Sequence, residues 1–148
     1  MVIQADQRIV AAGGSNYART NGHFALARYN TNGSPDTTFS GDGKLNTDFT
    51  SKWDYAFGVA VGAGGKIVAV GEAGFLGCNP KFALARYNLN GSLDGSFSVD
   101  GKVTTDFTSK EDFGEGVEIQ PDGNIVAAGG SGLGGSNPKF ALARYLAT

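Results

Sequence analysis

The six residues Phe-Ala-Leu-Ala-Arg-Tyr occur three times, at Phe24–Tyr29, Phe82–Tyr87 and Phe140–Tyr145, and successive copies stand 58 residues apart. A constant period of that length marks a repeat architecture. Each unit is too small to bury its own apolar face and must stack on a neighbour. The period therefore constrains the fold more than any local propensity does.

Four strand-like pieces fall within each period. The first is Tyr55–Gly62 and Phe113–Gln120, with only its tail, Met1–Gln4, in the first copy. The second is Gln7–Gly13, Lys66–Gly71 and Asn124–Gly129. The six-residue motif is the third, and Lys44–Phe49 and Lys102–Phe107 are the fourth. Short links such as Gln120-Pro121-Asp122-Gly123 join the first two pieces; Pro fixes φ, Gly accepts a positive φ, and a hairpin results. Links rich in Asn, Gly, Ser and Asp, such as Asn30–Asp36 and Asn88–Asp94, favour turns over helix. With 24 Gly and only 4 Pro, the composition supplies the tight turns that an all-β chain needs.

Alternation predicts the packing. In the motif, Phe24, Leu26 and Arg28 point one way and Ala25, Ala27 and Tyr29 the other. In the first piece, Phe57, Val59 and Val61 are expected to oppose Ala56, Gly58 and Ala60. Each sheet then has a bulky and a small face, and stacking bulky on small gives propeller blades around an axis.

The run Ile119-Gln120-Pro121-Asp122-Gly123-Asn124-Ile125-Val126-Ala127-Ala128-Gly129, the stretch Phe82–Phe97 and the run Gly101-Lys102-Val103-Thr104-Thr105-Asp106-Phe107 carry a family pattern. It resembles the bacterial delta-60 repeat, the repeat of a β-propeller domain family of unknown function. The resemblance covers essentially the whole chain. It implies blades of four antiparallel strands, often in surface or secreted bacterial proteins, and it supplies no catalytic residues. The low copy number and truncated ends depart from the pattern.

The expected fold is therefore all-β: one repeat domain over 1–148, with blades at 1–54, 55–112 and 113–148, the last without its outer strand. About 2.75 blades fall short of the four to eight that close a propeller, so two apolar faces are left open. Homo-oligomerisation is expected to cover them, a six-bladed dimer being the simplest closure and a longer parent chain the other.

The candidate sites are few. Arg28, Arg86 and Arg144 recur on the bulky face and need partners; Asp48 and Asp106, or Asp54 and Asp112, recur with them and are the expected ion-pair candidates. Asp36, Asp42, Asp94 and Asp100 lie in Gly-rich loops without calcium-loop spacing, and turn formation is the favoured reading. His23 is the sole histidine, with Lys81 and Lys139 at its equivalent positions, so no histidine triad can be assembled. Cys78 is alone, which excludes an intrachain disulfide. The Gly129–Gly135 run lacks the Gly-Lys-Ser/Thr ending of a phosphate loop. Copies diverge in the loops between the second and third pieces and in the connectors between periods, which leave from one rim. Ligand contacts, if any, are expected there, at Tyr17, Arg19, Trp53, Tyr55 and Phe75.

The expected role is a non-enzymatic module for binding or structural assembly, with no catalytic residue, cofactor or metal. A propeller-type enzyme acting on glycans and a purely architectural, self-assembling fragment are the alternatives. The expected partner is a second copy, with a glycan or surface protein as a further candidate. A net charge of −2 gives no basic footprint for nucleic acid, and no apolar run is long enough for a membrane helix. The N-terminal residues show no signal-peptide pattern; an extracellular or surface location is implied by the resemblance only.

Overall fold

The computed structural model describes residues 1–16, 21–50, 52–75 and 79–147. Among them lie eleven strands: β1 Val2–Ile3, β2 Ile9–Ser15, β3 His23–Tyr29, β4 Lys44–Thr47, β5 Asp54–Val61, β6 Ile67–Ala73, β7 Lys81–Tyr87, β8 Lys102–Thr105, β9 Glu111–Ile119, β10 Ile125–Leu133 and β11 Lys139–Tyr145. They form three antiparallel sheets, β1-β2-β3-β4, β5-β6-β7-β8 and β9-β10-β11. The motif is strand in all three, despite the helix propensity of Ala and Leu.

The turns follow from their residues. Gly123 takes φ 84° in the Pro-Asp-Gly hairpin, a conformation open to glycine and strained for most side chains. Asp36, Asp42, Asp94 and Asp100 each accept the backbone N–H two residues on, from Thr38, Lys44, Ser96 and Lys102. These carboxylates form turns, as their loop positions predict.

Sheets stack bulky face on small face. Val10, Phe24 and Leu26 of the first blade pack with Ala69, Ala83, Ala85 and Tyr87 of the second. Val68, Val70, Phe82 and Leu84 of the second pack with Ile125, Ala127 and Ala141 of the third. First strands of successive blades approach each other closely, and fourth strands do not, so the blades wedge around the first-strand side. A Cβ on Gly58 would lie 2.4 Å from the carbonyl oxygen of Glu115, so that approach of β5 to β9 requires glycine.

The alternation expected in the first piece is corrected by a β-bulge. Ala56 pairs with Gly71 and Gly58 with Val70, leaving Phe57 unpaired. The extra residue shifts parity: Ala56, Val59 and Val61 share the face that meets the first blade. β9 carries the same bulge, with Glu115 unpaired between Gly114 and Gly116.

Candidate functional site

The recurring arginines are anchored by a different acid from the one expected. Arg28 Nε lies 2.7 Å from Asp36 and Arg86 Nε 2.8 Å from Asp94. Both guanidinium groups lie 4.7 Å over a ring, of Phe39 and Phe97 respectively. A second cation joins each acid, Arg8 on Asp36 and Lys66 on Asp94. Burial alone would raise both carboxyls, but hydrogen bonds from the following Thr or Ser and the adjacent cations outweigh it and hold both below the usual range. Each arginine also donates across the blade boundary, Arg28 to the carbonyl of Leu89 and Arg86 to that of Ala147. Arg144 is exposed and instead meets Gln120 and Asp122.

Asp48 and Asp106 are not partners of these arginines. Register explains why: Phe24 faces Thr47 and Phe82 faces Thr105, so the next residues lie at the opposite end of the motif from the arginine. Asp48 lies 3.7 Å from His23, and Asp106 pairs with Lys81, whose hydrogen bond lowers its pKa. Asp54 and Asp112 have another task again. Asp54 accepts from the amides of Phe49, Thr50 and Gly74 and from the Thr50 hydroxyl. Asp112 repeats the set with Phe107, Thr108 and Gly132. These two aspartates pin each connector to the neighbouring hairpin end.

Three of the five ligand-contact candidates meet around one ring. Trp53 and Phe75 each lie edge-on to Tyr55, both at 5.9 Å between centroids. Tyr17 and Arg19 lie outside the described residues. Phe57, stacked at 6.4 Å on Tyr55, extends the cluster; the bulge gives it this position.

Phe57 also lines a cleft of about 390 Å³ between the second and third blades, with Glu72, Glu111, Phe113, Glu115 and Leu133. Glu72 is the ladder partner of Tyr55 and is 4% exposed. Burial, and then the charge of Glu111, push its carboxyl up to about 7. The equivalents of Glu72 in the other copies are Gly14 and Gly130; Glu111 replaces Trp53, and Glu115 replaces Phe57. Acid at Glu72, where the sister copies have glycine, is the signal in the sequence that marks this cleft.

Three stacked sheets of propeller-blade form define the class of protein. The family model described as "Domain of unknown function (DUF5122) beta-propeller" matches residues 4–39, 65–97 and 120–148. The chain belongs to this family, which agrees with the repeat pattern. A search of curated proteins finds no match. Among the described residues no helix is long and apolar enough to cross a membrane, a statement that does not extend to β-barrels.

Proposed function

We propose that the chain is a non-enzymatic blade module that assembles through its two uncovered faces, with a second copy as the occupant. One observation carries this reading: the two uncovered faces bear the residue types that meet at both blade contacts inside the chain. On the third blade Phe140 and Leu142 are 75% and 57% exposed, whereas Phe82 and Leu84 of the second are fully buried. On the first blade Ala11, Gly13, Ala25 and Ala27 line an open hollow of about 780 Å³.

Laying Phe140 and Leu142 over Ala25 and Ala27 repeats a packing the chain already uses twice. In that register Arg144 reaches the carbonyl of Thr31, one period before Leu89. Two copies related by a two-fold axis along the blade axis give a six-bladed ring, within the usual range. The test is light scattering on the purified chain at micromolar concentration. A dimer is expected, and Leu142→Asp should yield a folded monomer because Leu142 supports no internal core. A wild-type monomer refutes the reading.

A propeller-type enzyme acting on glycans is the second reading. It is favoured by Glu72, poised near neutrality beside Glu111, since glycosidases use paired carboxyls in unlike protonation states. Reducing-sugar release from a glycan panel, abolished by Glu72→Gln, would establish it; no release from any glycan would eliminate it.

A further inference from the structure

Glu72 is more than nine-tenths buried, yet it makes no hydrogen bond or ion pair with any described residue. Other buried carboxyls have protein partners: Asp36, Asp54, Asp94 and Asp112 each meet several donors or cations. The Glu72 carboxyl has no donor among the described residues and lines a cleft, so a donor entering that cleft can pair with it. The carboxyl lines the cleft between the second and third blades, where Glu111 and Glu115 add negative charge and, among the described residues, no lysine, arginine or histidine lines the wall.

Two features shape what can enter. Glu115 and Phe57 are the unpaired residues of equivalent bulges in β9 and β5, and a bulge re-aims its side chain out of the sheet. The cleft is walled by the rings of Phe57 and Phe113, whose π-faces attract cations. Among the described residues no three carboxylates, histidines or cysteines converge closely enough to hold a metal ion. Dispersed acids between aromatic walls suit an extended organic cation, which is softer and less strongly hydrated than a divalent metal.

We propose that this cleft binds an organic cation, an ammonium or guanidinium group, with Glu72 and Glu111 as its anionic partners and Phe57 and Phe113 as its walls. All of these residues belong to the second and third blades of one chain, so the site does not depend on assembly. A volume near 390 Å³ is at the small end of ligand sites and fits such a head group with its methylenes. The cation could come from a free polyamine or from a basic side chain of a peptide, and the two arms of the test separate these sources.

The experiment is titration calorimetry on the intact chain with spermidine in one arm and the blocked tripeptide acetyl-Gly-Arg-Gly-amide in the other. Saturable one-to-one binding of at least one probe is expected. Glu72→Gln and Glu111→Gln should each weaken it about tenfold or more, the scale of a lost charge-assisted contact. Glu118→Gln, an exposed acid on the same strand outside the cleft, should leave it unchanged. Spermidine alone binding identifies a polyamine site, and the tripeptide alone identifies a basic-peptide site. The proposal is overturned if neither probe saturates at millimolar concentration. It is overturned equally if Glu118→Gln weakens binding as much as Glu72→Gln does, since diffuse surface charge would then suffice. Circular dichroism on each variant guards against misfolding, and Phe113→Leu, which keeps the charges and removes one ring, should weaken binding independently.

Discussion

Replacing Glu72 by Gln should stabilise the protein, and only when the pH is high enough. Burial and the neighbouring Glu111 charge raise the carboxyl from its ordinary 4.5 to about 7. The folded state therefore holds this proton more tightly than the unfolded chain does. Stability falls as pH rises from about 4.5 to about 7 and carries a constant penalty above that. Each pKa unit is worth about 1.4 kcal/mol, so the penalty at alkaline pH is on the order of 3 kcal/mol, an upper figure because the cleft opens to water. Gln keeps the shape and cannot ionise. Urea denaturation followed by Trp53, the sole tryptophan, should show both proteins similar near pH 4 and the variant more stable near pH 8, at one fixed protein concentration. Taking the difference between the two proteins cancels every other titrating group. Glu111→Gln should shrink the pH dependence, because it removes the second cause of the shift. A difference that stays flat across pH, or a variant less stable than wild type at pH 8, would refute the reasoning.

Two further changes probe the scaffold. Asp94→Asn leaves the buried Arg86 guanidinium without its carboxylate and should cost roughly 3–5 kcal/mol near neutral pH. Because the Asp94 pKa is lowered, the loss should narrow as pH falls below the ordinary aspartate range, which denaturation at two pH values would reveal. Gly114→Ala places a Cβ 2.3 Å from Val70 Cγ2 and 2.8 Å from Phe82 Cζ, so overpacking between blades should cost about 1–3 kcal/mol; Gly116→Ala, with nothing within 4 Å, should be near neutral by the same urea denaturation.

What the sequence made legible was whatever repeats. The period, the strand character of Phe-Ala-Leu-Ala-Arg-Tyr, the hairpin turns and the stacking of bulky on small all follow from local chemistry copied at a fixed spacing. The partners of the arginines did not follow. Asp36 lies eight residues beyond Arg28, and the loop between them folds back so that the amide of Asp36 bonds the carbonyl of Arg28. That closure depends on three-dimensional loop shape, whereas strand register sends Asp48 to the other end of β3. The bulges at Phe57 and Glu115 were equally hidden, since inserting one residue inverts alternation without any mark in composition. The acidic cleft needs side chains from four strands of two blades, brought together only by stacking.

Repetition also supplies an internal comparison for Glu72. The same strand position is Gly14 in the first copy and Gly130 in the third, so this fold does not require an acid there. An unpartnered buried carboxylate destabilises the native state, and the neighbouring blades dispense with it. Its second cause of strain, Glu111, is itself a departure from the repeat, and so is Glu115 on the bulge. Packing gives no reason for three independent departures to converge on one cleft with the same sign of charge. Repulsion among them weakens the empty protein and strengthens its hold on a cation, because an entering cation relieves what folding alone leaves unpaired. The scaffold absorbs this strain through the buried Arg–Asp anchors and aspartate-pinned connectors that recur unchanged around it.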